Sequence, residues 1–227
     1  MNYYRLQISF LLAVTFGIFI APPIWNGFPL IFTDSLAYLT SGIELVAPVD
    51  RPIFYGLFTR ISNLIMELWG LVFFQSVLVI FLLLKLANVL LPHSSIKVSL
   101  LWICLVGTLT SAPWFSGQIS ADIFTSCLFL TMIILALICE RASSGKIILF
   151  GGLMILEINM HSGNLLIACM LFFCIISLLY MQKKSLRYMV NSTTKCNFEQ
   201  LGLVAKDILV SIASRPASQS SHDLSTP

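Results

Sequence analysis

Charge is scarce in this chain. Asp, Glu, Lys and Arg make up 10% of its residues against 58% that are hydrophobic, and its mean hydropathy is +0.93. A soluble core of 227 residues has no use for so much apolar surface. The composition therefore excludes an ordinary soluble domain and fits a polytopic membrane protein, an all-α bundle of transmembrane helices. Basic clusters are missing as well. The net charge is only +3, and no run of Lys and Arg is interleaved with aromatic residues, so nucleic acid is excluded as a partner. No C-x-x-C pair occurs among the six cysteines, Cys104, Cys127, Cys139, Cys169, Cys174 and Cys196, and the first five sit in or beside apolar runs. This spacing argues against a disulfide framework or a zinc site and for small buried side chains. No internal repeat is visible.

What the chain does have is long apolar runs. Residues 6–21 follow Arg5, and Ala21-Pro22-Pro23 is a poor cleavage site, so the run reads as an uncleaved first span rather than a signal peptide. Residues 64–91 are apolar apart from Glu67, Gln75, Lys85 and Asn88, long enough at 1.5 Å per residue to cross a hydrocarbon core of about 30 Å. Further spans are expected at 96–112, 121–139, 147–160 and 165–181, about six in all. The run at 147–160 is short and contains Glu157, and His161-Ser162-Gly163-Asn164 follows it. Lys85 and Glu157, inside apolar runs, should face other helices rather than lipid. Trp25, Trp69, Trp102 and Trp114 are expected to anchor at the interface. Residues 1–181 thus form the membrane domain. Residues 182–227 form a polar, partly disordered tail with one apolar patch at 201–212.

Between the first two spans lies the most polar connection. Residues 24–63 carry Asp34, Glu44, Asp50, Arg51 and Arg60. Apolar residues recur there at helical spacing: Leu36, Leu39, Ile43 and Leu45, then Ile53, Leu57, Ile61 and Leu64. The pattern predicts two short amphipathic helices at the membrane surface. Asp34 is placed to cap the first. Asp50 or Arg51 leads into the second, with Pro52 in its first turn.

The basic residues set the orientation. With the N-terminus in the cytoplasm, Arg5, Lys97, Arg141, Lys146, Lys183, Lys184 and Arg187 fall inside, and only Arg51 and Arg60 fall outside, as the positive-inside rule requires. Asn191-Ser192-Thr193, a match to the N-glycosylation pattern, then lies on the cytoplasmic side and reads as chance. The same topology puts Asp34, Asp50, Arg51, Gln118, Asp122 and His161 on the outer face. They come from three connections that share one membrane boundary, which points to a site there.

This layout resembles the C-type (GT-C) membrane glycosyltransferases, in which a first span is followed by a large outer loop with surface helices and an acidic residue near its start. The matching stretches are T-D-S-L-A-Y, with Asp34, and P-W-F-S-G-Q-I-S-A-D-I-F, with Asp122. R-P-I-F-Y-G-L-F, from Arg51, and H-S-G-N-L-L, from His161, are similar to stretches in bacterial membrane proteins of this general type. The resemblance covers residues 1–181, an N-terminal part of such an enzyme, whose members usually carry considerably more spans. It implies transfer of a sugar from a polyprenyl-phosphate donor on the non-cytoplasmic face of a bacterial inner membrane, by an enzyme or a truncated relative of one. Asp34 is then the base for the acceptor hydroxyl. Arg51, and after it His161, stabilises the phosphate leaving group. Asp122 orients Arg51 or the acceptor, or helps hold a divalent cation, and Tyr38 and Gln118 contact substrate. The alternative reading is a non-catalytic membrane protein, either a scaffold subunit or a small transporter.

Overall fold

In the computed structural model, residues 3–48, 51–138, 142–178 and 180–181 are described. Asp50, the charged turn at Glu140 and Arg141, Cys139, Cys196, and the tail with Lys183, Lys184, Arg187, Asn191 and the 201–212 patch lie outside them. The described residues are all-helical apart from isolated bridges. Two compact units are present, Met1–Cys174 and Ile175–Pro227. Of the second, residues 175–178 and 180–181 are described, and they are helical.

Each apolar run becomes a helix. The first forms α1 (Tyr3–Asn26), which ends where Gly27 takes a positive φ of 75°, the conformation glycine adopts most cheaply after a helix. The expected surface helices are present as α2 (Ser35–Glu44) and α3 (Ile53–Met66). The run at 64–91 is not one helix. It breaks at Glu67, and α4 (Trp69–Leu90) begins beyond it. Glu67 has φ 53° and ψ −151°, backbone space that is almost glycine-only and costs about 1–3 kcal/mol for other residues. The Ser62 hydroxyl holds the corner by donating to the Glu67 carbonyl over 2.8 Å. Glu67→Gly is therefore expected to raise the thermal unfolding midpoint of the detergent-solubilised protein, by about 1 kcal/mol of stability. Glu67→Ala should give no such gain.

The remaining helices are α5 (Ile96–Leu109), a short α6 (Ala112–Ser116) in the stretch expected to be loop, α7 (Asp122–Ile138), α8 (Ser144–Met160) and α9 (Asn164–Leu178). Two of these helices, α1 with 24 residues and α4 with 22, are long and apolar enough to cross a membrane. They measure about 36 and 33 Å. The others are shorter: α5, with 14 residues, reaches about 21 Å, and α7 and α8, with 17 each, about 26 Å.

Helix α4 is the hub, packed on α1, α3, α5, α6 and α7, while α7 also carries α8. In its first half the polar residues turn inward: Gln75 and Ser76 are buried, as are Thr131 on α7, Glu157 on α8 and Asn164 on α9. Large apolar side chains point outward instead, among them Phe10, Val77, Leu101, Leu105, Ile148 and Phe173. Such a continuous apolar exterior exceeds what a soluble monomer shows. Of the four described cysteines, Cys127 is buried and Cys104 half-buried. Cys169 and Cys174 are exposed, contrary to the expectation of burial, because they lie on the outward face of α9.

The starts of α1 and α5 share one end of the bundle. Lys97 donates to the Gln7 amide oxygen and sits 4.6 Å from the Tyr4 ring centroid. The end of α4 lies there too, through Ser99 and Asn88. At the other end, α2 lies on α3, and α3 rests on α4 and α8. The two surface helices meet at Gly42 and Gly56, where a Cβ on Gly42 would stand 2.3 Å from the Gly56 carbonyl oxygen. Only glycine permits that approach.

Candidate functional site

The polar end of the bundle is assembled from four places in the chain. The first is the entry to α2. Asp34 occupies the cap position, but its side chain makes no cap hydrogen bond. Ser35 does the local stitching instead: its hydroxyl accepts from the Phe32 N–H at 2.8 Å and donates to the Ile119 carbonyl at 2.6 Å. The Asp34 carboxylate is thus turned to Arg51, whose Nη2 is 3.0 Å from Oδ1. Arg51 lies just before α3, with Pro52 as the extended residue at its cap. The guanidinium carbon also sits 5.3 Å from the centroid of the Tyr38 ring, within cation–π range.

The second pair lies alongside. Asp122, the first residue of α7, places its carboxylate where the helix dipole favours it. Its Oδ2 accepts from the Ser120 hydroxyl at 2.8 Å, and its Oδ1 is 3.4 Å from His161 Nε2. Gly163 N–H donates to His161 Nδ1 at 3.1 Å. With Nδ1 accepting, the neutral ring carries its proton on Nε2, facing Asp122. His161 is therefore the partner of Asp122, and Asp122 orients His161 rather than Arg51.

Tyr38 joins the two pairs. Burial raises its phenol above the usual value, Arg51 opposes that, and the carboxylates of Asp122 and Asp34 add to it. Beneath it an aromatic stack forms the floor. The Tyr38 and Tyr55 rings lie 4.6 Å apart edge to face, and Tyr55 lies 6.0 Å from Phe124. Tyr55 is fully buried, and burial holds its phenol well above the ordinary range, the bond from Gln75 acting against it.

Gln118 enters differently from the others. Its segment pairs with Leu30, the Leu30 N–H donating to the Gly117 carbonyl at 2.9 Å and the Ile119 N–H to the Leu30 carbonyl at 2.8 Å. This pairing ties the first loop to the start of α7. The Gln118 side chain makes no hydrogen bond among the described residues. Asp50 is outside the described residues, so the site holds Asp34, Tyr38, Arg51, Asp122 and His161 from the expected set.

Two residues of this end were not singled out by the sequence. Gln75, read there only as an interruption in a span, is buried, and its amide nitrogen donates to the Tyr55 hydroxyl and the Ser120 carbonyl, each at 3.3 Å. Arg60 donates to the carbonyls of Gly42 and Ile43 at 3.1 and 3.0 Å, closing the last turn of α2 where a cation suits the dipole. A glutamine inside an apolar run is the one available signal for the first. A cation sixteen residues beyond a helix end leaves no signal at all for the second. At the rim, Trp25 and Trp114 are exposed, as membrane-interface anchors are.

A groove of about 480 Å³ lies along α2 and the segment that follows it, lined by Thr33, Leu36, Ala37, Thr40, Glu44 and Pro48 among others and by none of the five clustered residues. Among the described residues no three His, Cys, Asp or Glu side chains are grouped to hold a metal ion. Both Asp122 oxygens are already engaged by Ser120 and His161. The described residues therefore do not by themselves group into a divalent-cation site. No family model, curated protein or solved structure matches the chain.

Proposed function

We propose that the chain is a polytopic membrane protein of about six spans, N-terminus in the cytoplasm, that acts as a GT-C-like glycosyltransferase. It takes a sugar from a polyprenyl-phosphate donor on the non-cytoplasmic face. The observation that carries this reading is the meeting of Asp34, Arg51 and Tyr38 with Asp122 and His161 at one end of the bundle. The resemblance in layout supplies the reaction class, and the residues supply its parts.

In the reaction, the acceptor hydroxyl gives its proton to the Asp34 carboxylate and its oxygen bonds to the anomeric carbon. The bond from that carbon to the phosphate oxygen breaks, and polyprenyl phosphate leaves with the electron pair. Arg51 is held by Asp34 at rest. Protonation of Asp34 cancels the charge that holds it as negative charge grows on the phosphate, so the guanidinium exchanges a carboxylate for a phosphate. Tyr38 keeps the guanidinium in place from the ring side. Asp122 and His161 line the acceptor side.

The test uses membranes containing the full chain and a radiolabelled polyprenyl-phosphate sugar. Label is expected to move to acceptor, and Arg51→Ala is expected to raise the KM for the donor, since a charge-assisted bidentate contact is lost. Absence of transfer across a panel of donors would count against the enzyme. The competing reading, a non-catalytic scaffold, is favoured by the fact that both carboxylates already have partners, as a purely structural cluster would.

A further inference from the structure

At the opposite end of the bundle, α4, α7 and α8 enclose a second cavity of about 270 Å³, lined by Lys85, Asn88, Ile134, Ile138, Lys146 and Phe150 among others. We propose that this cavity binds the phosphate of an anionic phospholipid in the leaflet facing that end. The inference depends on the membrane reading above but not on the glycosyl-transfer reading.

The position follows from helix geometry. Lys146 precedes His161 by fifteen residues, about 22 Å of helix axis, and Lys85 follows Trp69 by sixteen. The cavity therefore lies close to a hydrocarbon thickness away from the Asp34 end. Its charge is one-sided. Neither lysine makes an ion pair or a side-chain hydrogen bond among the described residues, and among them no carboxylate lines the cavity. Lys146 sits in the first turn of α8, which carries no acidic residue. A cation there opposes the helix dipole, so the positive ends add. Lys85 lines the cavity, is half-buried and has its ammonium nitrogen 5.3 Å from the Phe81 ring centroid.

An anion resolves this imbalance, and the surroundings say which kind. The deep wall is apolar and buried, made by Ile134 and Phe150. The flanks are apolar and exposed: Leu137, Ile148 and Leu149 face outward beside the cavity. A headgroup phosphate fits between the two ammonium groups while its acyl chains lie along that outer face. A basic pocket between membrane helices on the cytoplasmic side is the usual setting for such a contact.

The experiment reconstitutes the full chain in nanodiscs of equal phosphatidylglycerol and phosphatidylcholine, then reads retained lipid by native mass spectrometry after extraction. Phosphatidylglycerol is expected to be retained over phosphatidylcholine by about 30-fold, from two ammonium groups. Lys85→Gln and Lys146→Gln should each reduce the preference about fivefold. Arg at either position should keep it, and glycerol phosphate in solution should not displace the lipid. Equal retention of the two lipids, or a preference that survives the double Gln variant at unchanged thermal stability, overturns the proposal. So does displacement by glycerol phosphate, which would mark the site as one for soluble phosphate. Failure to retain any lipid overturns it as well, whereas failure of the chain to enter the nanodiscs would overturn the membrane reading, and transfer activity plays no part in the readout.

Discussion

Membranes carrying Asp34→Asn are expected to lose sugar transfer by about 10²–10⁴-fold, the usual contribution of a positioned general base, with the protein present at its normal level. Asparagine keeps the shape of the side chain. The backbone role of residue 34, whose carbonyl accepts from the Tyr38 N–H at 3.3 Å, is untouched. So are the Ser35 bonds to Phe32 and Ile119 that hold this corner to the bundle. What is lost is the charge opposite Arg51 and the place for the acceptor proton. The effect should therefore fall on kcat. The donor KM should hold or decrease, because Arg51, released from the Asp34 carboxylate at 3.0 Å, remains able to grip phosphate. Arg51→Ala should show the opposite pattern, with donor KM rising. A steady-state comparison of the two variants separates the roles. Unchanged transfer in Asp34→Asn would assign the pair to scaffolding alone.

The largest stability effect is expected at Tyr55. Its ring is fully buried under α2, against Tyr38, Phe58 and Phe124. Tyr55→Ala should cost about 3–5 kcal/mol, as other buried aromatic truncations do, and should release α2 and α3 from the bundle. Tyr55→Phe keeps the stack and removes one hydrogen bond, leaving Gln75 bonded to the Ser120 carbonyl; about 1 kcal/mol is expected. The two differ in pH dependence as well. Burial holds the Tyr55 phenol well above its ordinary value of 10.0 in the folded protein. The unfolded chain then ionises first, and the neutral form favours the fold. This contribution is fully present below pH 10 and is lost as the pH rises above it, by up to about 1.4 kcal/mol per pH unit for one proton. Tyr38 adds a weaker dependence of the same sign. Thermal melts of the wild type between pH 9 and 11.5 should show this decline, and Tyr55→Phe should flatten most of it.

How much of this was legible in the sequence can be judged residue by residue. The helices were legible because apolar periodicity and run length are local. The surface pair α2 and α3 was readable from spacing and from Pro52. The grouping of Asp34, Arg51, Asp122 and His161 at one end followed from counting spans and basic residues, which fixes which connections share an end. The pairing within the group was not legible. Asp34 read as a cap, yet Ser35 supplies the local bonds and Asp34 turns to an arginine seventeen residues away. Asp122 read as orienting Arg51 or the acceptor, or as helping to hold a cation, and the contact it makes is with His161, since α8 packs on α7 and returns its end to that point. These choices depend on helix packing over long sequence separations, and no local pattern encodes them. The break at Glu67 was hidden for a different reason: a glutamate in a glycine-like conformation carries no sequence mark.

The most direct test of the account is residue accessibility across the membrane. Single cysteines at Thr33, Gln118 and Ser162, and at Ser94 and Ser144, are placed in a variant from which the native cysteines have been removed. Intact cells are then treated with a thiol reagent that cannot cross the lipid. The first three positions should label without permeabilisation, and the last two only after it. Labelling that divided Thr33, Gln118 and Ser162 between the two sides would contradict the shared pocket, and with it the transfer reaction proposed for Asp34 and Arg51.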